Sequence, residues 1–183
     1  MEEREKILRR VALKCADFAR QLSYYRTLKD QVRGCNQNFW IYMLNNTIDL
    51  AVLDWFHLFG YHNDDLHWKR VVSDIDGFRQ AFFIHMKMTE AEWIAYRELV
   101  KNYRDKDIAH YEIRPVSNVP EMQNALHATT FYYSIVMKEL VEYQNYSRWP
   151  KELEEYYLRS LVQSGEFSKL AFNATKNISE KVY

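Results

Sequence analysis

Four glycines and three prolines are the only strong breaks in a chain of 183 residues. An all-β sandwich needs a turn signal every ~8–12 residues, and this sequence cannot supply them. Long helices need few breaks, and the apolar spacing agrees. Trp40, Leu44, Ile48, Ala51, Trp55 and Phe59 step by four, four, three, four and four, the repeat of one helix face. The chain therefore reads as all-α. It is expected to form one helical domain over residues 1–183, a bundle with antiparallel neighbours where loops are short.

The breaks place the helices. Gly34 ends a first helix running from about Glu3 to Val32. Gly60 stops a second, from about Gln37 to Phe59. This one is also apolar at Ile41, Leu50 and Leu53, so it is expected to be the central, most buried helix. A polar turn, Tyr61–Asp65, and a short helical turn at Leu66–Val72 precede a helix over about Ile75–Met88. Thr89 and Glu92 form a capping box that opens a helix from Glu90 to about His110. Pro115 and Pro120 make Tyr111–Pro120 a loop, with Pro120 expected at the first position of the next helix, which runs to about Gln144. Pro150 opens a further helix to about Gln163, Gly165 ends it, and a last helix covers roughly Glu166–Asn177.

Lys plus Arg and Asp plus Glu number 25 each, so the formal net charge is zero. That balance excludes a strong, nonspecific RNA coat protein. It is not uniform: residues 1–33 hold nine basic against five acidic side chains, and residues 97–114 five against four. Cys15 and Cys35 have neither C-x-x-C pairing nor zinc-ligand spacing, and read as inert free thiols of a cytoplasmic protein. The opening MEEREKILRR reads as a charged helix start and not as a signal peptide. The most apolar stretch, Phe39–Phe59, contains Asp49 and Asp54, which argues against a membrane span.

Several chemistries are missing. There is no phosphate-binding glycine loop, no G-x-S-x-G elbow and no Glu-x-x-His pair for a di-iron bundle. The group His57, His62, Asp64, Asp65 and His67 suggests a metal, but its histidines are five apart and share no helix face. A polar turn beside a packed Trp68 is the expected reading, and no metal or cofactor is implied.

One segment stands apart: Tyr103-Arg104-Asp105-Lys106-Asp107-Ile108-Ala109-His110-Tyr111. It gathers charged and titratable side chains at a helix end. A guanidinium presents a planar fork to phosphate oxygens and stabilises the charge of a phosphoryl transition state. An imidazole moves protons near neutral pH. An Arg and a His therefore suffice for RNA cleavage in which the 2′-hydroxyl is the nucleophile. A solvated, charged helix end is the other reading of the same residues. At about 100° per residue, positions six apart differ by about 240°. Arg104 and His110 thus do not share one face of a straight helix. Either the helix loosens after Ile108, or the site is composed across two chains.

Arg104, Asp105 and His110, with five residues between Arg and His, resemble the signature of the HEPN superfamily (higher eukaryotes and prokaryotes nucleotide-binding). The wording Arg-Asp-Lys-Asp-Ile-Ala-His is similar to its abortive-infection branch, and Trp55–Gly60 and His67–Val72 add to the likeness. The resemblance covers about residues 35–145, with residues 150–177 as additional C-terminal helices. Arg79 and His85 have the same spacing, but an apolar run in mid-helix separates them.

The resemblance implies an HEPN-like helical bundle that dimerises, with the two motifs meeting at the interface in a composite site. It implies a metal-independent endoribonuclease, the toxin or effector of a bacterial defence or toxin–antitoxin system, with RNA as substrate and a possible cognate antitoxin as partner. Arg104 and His110 are then catalytic. Asp107 is placed to orient His110, and Asp105 to fix Arg104 or contact the ribose; both also read as surface acids. Lys101, Lys106 and Arg114 are expected to hold phosphates, and Tyr103 and Tyr111 to stack a base. In some HEPN toxins a Tyr two residues after the His is nucleotidylated; here Glu112 takes that place. The alternative is a non-catalytic HEPN-like dimer that binds RNA or a protein through the same surface.

Overall fold

The computed structural model describes residues 3–109, 118–143 and 149–180, the side chains of Asp107 and Ala109 excepted. The described residues form α-helices and one π-helical turn, with no strand. The order is α1 (Glu3–Gln31), α2 (Asn38–Phe59), α3 (Trp68–Val71), α4 (Ile75–Met86), α5 (Glu90–Tyr103), the π turn Arg104–Ala109, α6 (Gln123–Leu140) and α7 (Leu153–Thr175). No helix among the described residues is long and apolar enough to cross a membrane.

Local chemistry sets most of the boundaries. Gly34, beyond α1, adopts φ of 78°, which glycine takes without strain. The Thr89 hydroxyl accepts the Glu92 N–H at 3.3 Å, and the Glu92 carboxylate accepts the Thr89 N–H at 2.7 Å, closing the capping box of α5. The N-terminus of α2 has no local side-chain cap. Glu180, from the far end of the chain, accepts the N–H groups of Asn38 at 2.6 Å and Phe39 at 2.8 Å. A carboxylate there also meets the positive end of the helix dipole.

The structure departs from the sequence expectations in three places. α6 starts at Gln123 and not at Pro120. The Glu121 carboxylate accepts the Gln123 N–H at 2.8 Å, satisfying an open donor of the first turn. α7 runs unbroken through Gly165. Its buried face, Tyr157, Ser160, Ser164 and Ser168, lies against α1, where the Thr27 hydroxyl donates to Ser164 at 3.3 Å. That packing outweighs the roughly 1 kcal/mol a mid-helix glycine costs. The central helix is α1, which packs against α2, α6 and α7. α2 instead exposes Phe39, Ile41, Tyr42, Met43 and Leu50.

The core is aromatic. Trp55 of α2 is fully buried, stacks on Phe59 at 5.6 Å and meets Trp93 of α5 edge-on at 5.8 Å. Phe82 of α4 reaches Trp93 at 4.8 Å, and Tyr132 of α6 reaches Phe59 at 5.8 Å. Such pairs contribute about 0.5–1.5 kcal/mol each beyond their buried area. They tie α2, α4, α5 and α6 together around the C-terminal end of α2. A smaller cluster of Leu28, Val32 and Trp40, with Phe172 against it, closes the other end.

Candidate functional site

The site grows from the place where α2 ends. Arg97 of α5 donates through Nε to the Phe59 carbonyl at 2.9 Å and through Nη2 to the Gly60 carbonyl at 2.6 Å. These bonds satisfy open acceptors at the helix C-terminus. Burial pulls the Arg97 pKa down, a cost these bonds and the helix dipole offset. A Cβ at Gly60 would collide with the carbonyl and ring of Phe56, so the tight exit from α2 requires glycine there. The chain then turns back through Tyr61, whose ring meets Phe56 at 5.6 Å and 68°.

Arg104 lies seven residues after Arg97, two turns further along the same side of the helix. Its guanidinium lies over the Phe56 ring at 4.4 Å and over the Tyr61 ring at 4.8 Å. Nη2 donates to the Tyr61 hydroxyl at 2.8 Å. Nε donates to Asp105 Oδ1 at 2.8 Å, and Nη2 bonds the same oxygen. One edge of the fork is thus held by Asp105 and Tyr61. Among the described residues no hydrogen bond is made by Nη1. Only 19% of the Arg104 side chain is exposed, which strengthens its cation–π contacts relative to a surface pair.

Arg104 also begins the π turn. Hydrogen bonds there shift to i→i+5 and the backbone widens, a feature that recurs at functional sites. The helix widens from the arginine itself, four residues before the Ile108 position at which one of the two alternatives has it loosen. His110, at the other end of the motif, lies outside the described residues, as do Tyr111, Glu112 and Arg114. Of Asp107 only the backbone is described.

A cleft of about 270 Å³ opens in front of Arg104, lined also by Phe56, His57, Tyr61, Asn63 and Asp64. His57 Nδ1 lies 2.6 Å from Asp64 Oδ2. Asp64 is itself anchored, because its Oδ1 accepts the Leu66 N–H at 3.0 Å. The reading of His57–His67 as a plain polar turn therefore misses a carboxylate–imidazole pair. The two residues are seven apart and meet because the chain reverses at Gly60. The rest of the group points elsewhere. His67 is buried, stacks beside Trp68 at 5.8 Å and accepts the Lys69 N–H at 3.2 Å. Burial pushes its pKa down to about 3, and the charges of His62, Arg97 and Lys69 add to the shift.

The remaining predicted residues fall in different settings. Tyr103 is only 7% exposed and packs in the core, with its hydroxyl donating to Asp49 at 2.9 Å. The ring is therefore not presented for base stacking, because position 103 falls on the inner face of α5. Tyr61, 46% exposed beside Arg104, is the tyrosine that lines the cleft. Lys101 pairs with Glu98 at 3.5 Å. Lys106 is half-buried and forms no ion pair among the described residues. The second Arg–His spacing is occupied differently, with Arg79 pairing with Glu90 and His85 lying near the Phe131 ring at 5.1 Å. Cys15 is buried, which drives its thiol pKa far up.

Comparison of the chain with protein-family models, curated proteins and solved structures gives no match.

Proposed function

We propose that this protein is a metal-independent endoribonuclease of the HEPN kind, acting as a toxin or defence effector. The observation that carries the reading is Arg104. It is a largely buried guanidinium, oriented by Asp105 and Tyr61 and stacked on two rings, and it lines an open cleft. A fixed fork of this kind costs little reorganisation when charge builds on a phosphate. The 2′-hydroxyl attacks phosphorus, Arg104 stabilises the equatorial oxygens, and His110, assigned from the sequence motif, supplies the proton to the leaving 5′-oxygen. The products are a 2′,3′-cyclic phosphate and a 5′-hydroxyl. Asp105 is the positioning residue for Arg104.

Growth arrest tests the reading in cells. Expression in a bacterial host is expected to stop growth, and Arg104→Ala and His110→Ala to relieve it. In vitro, an oligonucleotide lacking 2′-hydroxyls is expected to resist; its cleavage would rule out the mechanism. A second reading, a non-catalytic helical dimer, draws support from the exposed apolar residues Phe39, Tyr42 and Met43 on α2 and Phe167 and Leu170 on α7. It predicts self-association without toxicity.

A further inference from the structure

The geometry points to His57, oriented by Asp64, as the base that takes the 2′-hydroxyl proton in the Arg104 cleft. This inference rests on the ribonuclease reading above.

The pair has the form that acid–base sites use. A carboxylate bonded to one ring nitrogen fixes the tautomer and orientation of the imidazole. With Nδ1 held at 2.6 Å by Asp64, Nε2 is the nitrogen left for substrate. Asp64 in turn cannot swing away, because its other oxygen accepts the Leu66 N–H, its N–H donates to the Tyr61 carbonyl at 3.1 Å, and its carbonyl accepts the His67 N–H at 3.1 Å. The imidazole is about half exposed, at 49%, and lines the same cleft as Arg104. The cleft therefore holds a fixed cation for the phosphate and a fixed imidazole for the hydroxyl beside it.

The proton balance is complete. His57 Nε2 accepts the 2′-O–H proton as the O2′–P bond forms. The P–O5′ bond breaks, and the 5′-oxygen leaves with the proton that His110 supplies. Neutral His57 and protonated His110 are restored by exchange with solvent or by reversal of roles when water opens the cyclic phosphate.

The test is single-turnover and steady-state cleavage of a 5′-end-labelled RNA by the full chain and by His57→Ala, Asp64→Asn and Arg104→Ala. The expected result is a fall in kcat of about 100-fold or more for His57→Ala, with KM changed less than about threefold. Added imidazole should partly rescue His57→Ala. It should not rescue Asp64→Asn, which keeps its own ring but loses the carboxylate. Circular dichroism of each variant checks that the fold is retained; as His57 is half exposed, its replacement leaves the core untouched. If the wild type cuts and Arg104→Ala does not, but His57→Ala cuts normally, this inference fails and the ribonuclease reading stands. A wild type that cuts no RNA overturns both.

Discussion

The hydroxyl of Tyr61 lies 2.8 Å from Nη2 of Arg104, forty-three residues further along the chain. The bond joins the turn after α2 to the end of α5 and fixes the guanidinium at the mouth of the cleft. Tyr61→Phe keeps the ring contact and removes only the hydrogen bond. It is expected to lower kcat for RNA cleavage about tenfold, equivalent to ~1.4 kcal/mol, and Tyr61→Ala to lower it further. Equal rates in all three proteins would show that Tyr61 does not position Arg104.

Trp55 anchors the aromatic core from α2, with contacts to Phe59, Trp93 and Tyr96. Trp55→Ala leaves a large void and is expected to cost about 3–5 kcal/mol, read from the shift of a urea unfolding midpoint at unchanged slope. A loss below about 1 kcal/mol would mean the core is assembled differently.

His67 makes stability depend on pH. In the fold its pKa is pushed down to about 3 by burial first and then by neighbouring positive charge, whereas an imidazole in the unfolded chain titrates near ~6.5. The unfolded chain therefore takes the proton first. The contribution is complete above about pH 6.5 and is lost as pH falls towards 3, at up to ~1.4 kcal/mol per pH unit. His67→Gln should flatten the fall in unfolding midpoint between pH 7 and pH 4.5. An unchanged slope would place the titrating group elsewhere.

Two glycines give opposite expectations. At Gly165 an added Cβ meets only the Thr27 methyl at 3.8 Å, an ordinary contact. Gly165→Ala should stabilise the protein by about 0.5–1 kcal/mol. At Gly60 the Cβ would strike Phe56, so Gly60→Ala should lower both the thermal midpoint and the RNA-cleavage rate, because Phe56 carries the Arg104 stack. Destabilisation by Gly165→Ala would argue that α7 is broken there.

The all-helical class and most helix ends were legible because they are written in local chemistry. Gly34, Gly60 and the Thr89–Glu92 box each act within a few residues. The continuity of α7 was not legible, since Ser160, Ser164 and Ser168 have no visible partner until α1 lies against them. The same holds for the central place of α1, where apolar and charged residues are interleaved along the sequence. At the candidate site, Arg104 and Asp105 stand side by side and their link could be expected. Tyr61 and His57's partner Asp64 are placed by the reversal at Gly60, and Phe56 meets Arg104 because the end of α5 packs back on α2, tertiary events that no spacing rule within one helix detects. Tyr103 shows the converse: its neighbours in sequence are charged, yet its place on α5 turns it into the core.

The most direct measurement of the central claim is RNA cleavage in excess EDTA by wild-type protein beside Arg104→Ala, with the product ends identified. Wild type is expected to cut and leave 2′,3′-cyclic phosphate ends, and Arg104→Ala to lose about 100-fold or more of the rate. Cleavage by Arg104→Ala at the wild-type rate, or a wild type that leaves RNA intact, would contradict the account.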